Sequence, residues 1–89
     1  MAEPASSAAP RLRLVHRTDC ELCDEMLAQL IELKRRVELP QVELVDVDAD
    51  PELLRRYGLH VPVLLLDDTP VCRHRLDTSE LLRMLRPRG

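Results

Sequence analysis

Cys20 and Cys23 stand three positions apart at the point where a short alternating strand gives way to a long amphipathic helix. Arg11 to His16 reads Arg-Leu-Arg-Leu-Val-His, the period of two expected of a strand. Leu22, Met26, Leu30, Leu33 and Val37 then fall at helical spacing and form one apolar stripe. Two side chains three apart at the opening of a helix share a face and come within disulfide reach. The unpaired amides and partial positive charge of a helix N-terminus favour thiolate over thiol, and the thiolate is the nucleophile of disulfide exchange. A cysteine pair is equally half of a zinc site, so the rest of the chain has to decide between the two chemistries.

The rest of the chain is read in order around that junction. Thr18-Asp19-Cys20-Glu21 has the form of a capping box, with Thr18 as the expected N-cap. Acids (Glu21, Asp24, Glu25) open the helix and bases (Lys34, Arg35, Arg36) close it, as the helix dipole favours, and Pro40 stops it. Gln41 to Asp48 alternates as a second strand with one fully apolar face. Asp50 and Pro51 then start a short helix that Gly58 caps. Val61 to Leu66 is a continuous apolar run, expected of a central strand buried on both faces. Asp67 to Pro70 makes a turn, Val71 to Arg75 a return strand, and Asp77 to Glu80 caps a last helix with Leu81, Met84 and Leu85 inward. The order is β-α-β-α-β-β-α, which implies an α/β domain with a central mixed four-stranded sheet and helices on both faces.

Composition bounds the reading. A chain of 89 residues is one small domain, expected over 11–86, between a polar Ala/Ser/Pro-rich disordered tail at 1–10 and a short tail at 87–89. Phe and Trp are absent and Tyr57 is the one aromatic residue, so the core is aliphatic and base stacking has no platform. A net charge of −3, with acids and bases interspersed, gives no footprint for nucleic acid or an anionic membrane. An odd count of three cysteines does not fit a secreted disulfide framework. With no apolar signal or spanning stretch, the expectation is a cytoplasmic monomer.

The element order, the Cys-x-x-Cys at the first strand-to-helix junction and the Val61-Pro62-Val63-Leu64 strand start together resemble the thioredoxin-like fold. Within it, Cys20-Glu21-Leu22-Cys23-Asp24-Glu25 and the stretch from Asp50-Pro51-Glu52-Leu53 to Tyr57-Gly58-Leu59-His60-Val61-Pro62 are similar to the glutaredoxin-like family. The resemblance covers roughly Leu12 to Leu85. It implies thiol–disulfide oxidoreductase chemistry on protein disulfides or glutathione mixed disulfides, with Cys20 as nucleophile and Cys23 as resolving thiol. It also implies a cis Pro62 beside the dithiol and pairing of the Val61 backbone with substrate. It implies no metal or organic cofactor, with glutathione as a co-substrate. The chain has Glu21-Leu22 where typical glutaredoxins carry Pro-Tyr, and Leu76 to Ser79 lacks their glycine pair. Arg17, Thr78 and Ser79 are then the residues left to hold a carboxylate.

Alternatives stand beside these assignments. Cys72 and His74 form a Cys-x-His that would complete a tetrahedral zinc set with Cys20 and Cys23, or Cys72 is simply a small core residue. His16 and His60 flank the expected site, and His60, just before Val61-Pro62, either donates to a substrate, stabilises the thiolate or is merely solvated. Asp19, Glu21 and Asp24 set like charges beside a thiolate, against the helix dipole and Arg17. The second reading of the whole chain is a non-enzymatic binding module that holds a partner protein or a metal through the same cysteines.

Overall fold

The computed structural model describes residues 10–86, so the expected tails, apart from Pro10, lie outside the described residues. The elements in order are β1 (Leu12–His16), α1 (Glu21–Lys34), β2 (Val42–Asp46), a 3-10 turn (Val47–Ala49), α2 (Pro51–Tyr57), β3 (Val63–Leu66), β4 (Thr69–Arg73) and α3 (Thr78–Leu85). The sheet order is β2-β1-β3-β4. β1 runs parallel to β2, with Leu14 opposite Leu44, and antiparallel to β3, with Leu14 opposite Leu64. β3 and β4 form the antiparallel hairpin. The β1–α1–β2 crossover accounts for the parallel pair, since strands joined through a helix return in the same direction.

Alternation along β1 and β3 divides the core between the two sheet faces. Leu12, Leu14, Leu64 and Leu66 meet Met26 and Leu30 of α1 and Leu81 of α3 on one face. Val15, Val63 and Leu65 meet Val47, with Leu53 and Tyr57 of α2 packed against them, on the other. Helices therefore cover both faces. All four residues of β3 are buried, as the apolar run implies for an inner strand. Truncating a leucine such as Leu64 here costs about 2–5 kcal/mol.

Four local expectations are corrected. The stripe of α1 holds at Met26 and Leu30, with Leu33 and Val37 packed against the core, but at its start Cys23 is the buried residue and Leu22 is 36% exposed. Its N-cap is Cys20 rather than Thr18, and it ends at Lys34, where the Arg35 and Arg36 amides tighten onto the Glu32 and Leu33 carbonyls. β2 is an edge strand, and Leu44 is 49% exposed, so its apolar residues are not fully covered. Only two residues, Asp67 and Asp68, make the hairpin turn, both in the left-handed region (φ 51° and 68°) that suits a two-residue hairpin loop. The return strand therefore begins at Thr69, and Pro70 lies within it on the sheet edge, where a missing N–H costs no ladder bond.

The other caps hold as expected. Asp50 accepts from the Glu52 and Leu53 amides with Pro51 following, and Asp77 accepts from the Glu80 amide. Gly58 closes α2 in right-handed geometry (φ −54°), so the glycine is not there for a positive φ. A Cβ on it would lie 2.5 Å from the Leu54 carbonyl oxygen, and that close approach is what requires glycine. Among the described residues no helix is long and apolar enough to cross a membrane.

Candidate active site

The dithiol is built by the turn that joins β1 to α1. Asp19 takes a left-handed conformation (φ 58°), tolerable for aspartate, and the chain then swings to an extended Cys20 that caps the helix. The Cys23 N–H donates to the Cys20 Sγ at 3.2 Å, and the Asp24 N–H to the Cys20 carbonyl at 3.0 Å. The sulfur thus occupies the place of a capping oxygen and takes up one of the unpaired helix amides. Cys20 and Cys23 are joined as a disulfide, with Cα atoms 5.2 Å apart. The two are unequal: Cys20 is half-buried, whereas Cys23 is 3% exposed and belongs to the helix's inner face. A thiolate formed at Cys20 would be accessible and amide-stabilised, and the thiol behind it sheltered.

Pro62 is buried at the start of β3, and the Val61–Pro62 peptide bond is cis. The His74 N–H donates to the Pro62 carbonyl at 2.8 Å, fixing the proline to the end of β4. Val61 precedes the ladder, and its own N–H and C=O make no hydrogen bond among the described residues. His60 holds its N–H on the Tyr57 carbonyl at 2.8 Å, and its ring lies 6.1 Å from that of His74, itself left-handed (φ 70°). His16 ends β1 opposite Asp46.

Arg17 is fully engaged within the protein. Its Nη1 donates to the Gly58 carbonyl at 3.0 Å, and its Nε and Nη2 reach the Asp48 carboxylate at 3.1 and 3.4 Å. It therefore ties the dithiol turn to the loop that leads into Pro62, instead of presenting a free fork to a carboxylate. Thr78 and Ser79 form the first turn of α3, but Thr78 lines a groove with Gln29, Glu32 and Leu33 on the C-terminal half of α1 and with Arg36 just beyond its end. The chain from His74 to Thr78 runs along α1 from beside Leu22 to beside Arg36, which carries Thr78 away from the cysteines. Ser79 is exposed.

Cys72 is half-buried against the α1–α3 side of the core, and its Sγ accepts from the Asp77 N–H at 3.5 Å. Burial pushes its thiol above the ordinary value, with the Asp77 amide pulling partly the other way. Among the described residues no three His, Cys, Asp or Glu side chains gather as a metal site.

Residues 11–86 match the family described as glutaredoxin-like domain (DUF836). The chain belongs to this glutaredoxin-like family. Among solved structures it is similar to protein Ne2328 from Nitrosomonas europaea, at 28% identity and a TM-score of 0.78 over 97% of this chain and 100% of that one. It shares its fold with thioredoxin 1 of Thermosipho africanus (18% identity, TM-score 0.54, 84% and 89% covered). It also shares its fold with mitochondrial thioredoxin 3 of Saccharomyces cerevisiae in its oxidised form (17% identity, TM-score 0.59, 85% and 76% covered). The glutaredoxin-like chain thus combines a thioredoxin-type sheet with a Cys20–Cys23 pair at disulfide distance. Sequence reasoning did not find the partners of Arg17, because Asp48 and Gly58 lie 31 and 41 residues away in unrelated local patterns.

Proposed function

We propose that this protein is a thiol–disulfide oxidoreductase that reduces polypeptide disulfides or glutathione mixed disulfides through Cys20 and Cys23. The observation that carries the reading is the inequality of the pair: an accessible sulfur caps α1 and accepts the Cys23 amide, with a buried partner sulfur within bonding reach. The Cys20 thiolate attacks one sulfur of the substrate disulfide, a mixed disulfide forms, and the other substrate sulfur leaves as a thiolate. The Cys23 thiolate then attacks the Cys20 sulfur, which closes the Cys20–Cys23 disulfide and releases the second substrate thiol. Two electrons have passed from the dithiol to the substrate, and an external thiol such as glutathione restores the dithiol. Because both electrons are stored in the sulfur pair, the cycle calls for no resident metal or organic cofactor.

Val61 supports the docking step, since its unpaired N–H and C=O beside Pro62 can add an extended substrate segment as a short strand. Leu59, 93% exposed in the same loop, and Leu22 between the cysteines offer apolar contacts of the kind a polypeptide can use. The test is reduction of a peptide disulfide under a glutathione-based regenerating system. Wild-type protein turns over and Cys20→Ser does not. Equal activity in the two would refute the reading.

A further inference from the structure

We propose that the cavity between α2 and β4 is a carboxylate subsite, taking an acidic side chain of the disulfide-bearing polypeptide while its sulfur lies against Cys20. The inference rests on the oxidoreductase reading above and narrows its substrate class. The cavity has a volume of about 300 Å³, enough for one side chain and small for a whole cofactor. Arg56, His60 and Arg73 line it, over apolar walls formed by Tyr57, Val63 and Val71.

Its charge is only partly compensated. Arg73 has no acidic partner among the described residues. Arg56 reaches Glu52 only at 3.8 Å, and that carboxylate is shared with Arg55. The Arg56 guanidinium instead lies 5.9 Å from the centre of the Tyr57 ring, which holds it toward the cavity wall. Two planar guanidinium forks over an apolar floor match a carboxylate and recognise it bidentately. The surroundings sharpen the contrast, since the protein is acidic overall and Asp19, Glu21, Asp24 and Glu25 neighbour the cysteines in sequence. A substrate strand would therefore be oriented, with its acidic residue toward β4 and away from the dithiol turn.

The cavity also adjoins the docking edge. His60 immediately precedes Val61, and its ring faces that of His74. His74 in turn lines a second cleft with Leu22, the residue between the cysteines. A strand laid along Val61 advances about 3.3 Å per residue, which brings a side chain two to four residues from the substrate cysteine to the cavity.

The test uses peptide disulfides with Glu or Gln at each position two to four residues on either side of the disulfide cysteine, against wild type and Arg56→Gln/Arg73→Gln. The expected result is a kcat/KM preference for Glu of about tenfold at one position, the worth of a single charge-assisted pair, falling below about twofold in the variant. No preference at any position, or a preference that survives in the variant, would overturn the subsite. Oxidised glutathione separates the sources of the carboxylate: a loss confined to glutathione disulfide would overturn the polypeptide assignment. If wild type reduces none of the peptides, the oxidoreductase reading fails, and amide shifts with cysteine-free Glu and Gln peptides then judge the subsite separately. Shifts at His60 and Arg73 with Glu alone uphold it, and none refute it.

Discussion

The guanidinium of Arg17 donates to the carbonyl oxygen of Gly58 at 3.0 Å, joining the turn that carries the dithiol to the loop that ends in cis Pro62. Those two segments are 41 residues apart in sequence, and the disulfide exchange proposed here needs them in fixed register. Asp48 holds the other edge of the same guanidinium. Arg17→Leu is expected to cost about 1–2 kcal/mol, since it leaves a part-buried carbonyl without its donor. It should also lower kcat/KM for a peptide disulfide, and Arg17→Lys should recover only part of both, having no planar fork. Urea unfolding and steady-state kinetics check the pair of effects. A fall in stability with kcat/KM unchanged would assign Arg17 to stability alone.

Gly58→Ala gives a prediction opposite in sign to the usual one. At a right-handed glycine, alanine ordinarily stabilises by about 0.4–1 kcal/mol through the unfolded chain. Here the added Cβ would meet the Leu54 carbonyl oxygen at 2.5 Å, and Gly58's own carbonyl is the acceptor for Arg17. The variant is expected to lose about 1–3 kcal/mol, measured as a lower urea midpoint at unchanged slope.

Cys72 sets an alkaline limit on stability. Its thiol is raised above an unfolded value of 9.0, chiefly by burial. A raised acid favours folding while it stays neutral, so this contribution is fully present below about pH 9 and is lost as pH rises through the folded value. Wild type should therefore lose more stability than Cys72→Ala between pH 8 and pH 11. Parallel stability curves for the two proteins would show that burial does not hold the thiol neutral. The same shelter predicts slow alkylation of Cys72 at neutral pH relative to a reduced Cys20.

Cys23→Ser should stop the cycle halfway. The first exchange needs only the Cys20 thiolate, and the second needs the buried sulfur behind it. The variant should accumulate a mixed disulfide through Cys20 with a peptide disulfide substrate, visible as one added peptide mass. Cys20→Ser should accumulate none, because the Cys23 sulfur is too buried to attack a substrate disulfide.

Much of this was legible in the sequence, for reasons visible residue by residue. β1 and β3 could be read because alternation and a continuous apolar run are direct images of half-buried and fully buried strands. α1 was legible as a helix, and its inner stripe from Met26 onward, but the first inward position was not. Leu22 and Cys23 both fit a helical stripe, and only packing shows that the cysteine is the inner of the two. The cap failed in the same place: Thr18 and Glu21 spell a capping box, yet the Cys20 sulfur takes the amide and Asp19 turns left-handed. The hairpin was placed two residues late because Pro70 looks like turn punctuation, while the turn uses two aspartates at positive φ without the glycine that usually announces it. Arg17–Gly58 carries no local signal, since it joins segments 41 residues apart, and His60–His74 and the α2–β4 cavity depend on the hairpin register that the misplaced turn obscures.

The measurement that tests the central claim most directly is an equilibrium redox titration in graded thiol–disulfide buffers, with each cysteine read by differential alkylation and peptide mapping. The account predicts one reversible two-electron transition confined to Cys20 and Cys23, between about −180 and −270 mV, with Cys72 alkylatable throughout under denaturing conditions. A pair that never closes, or a disulfide that forms through Cys72 instead, would contradict it.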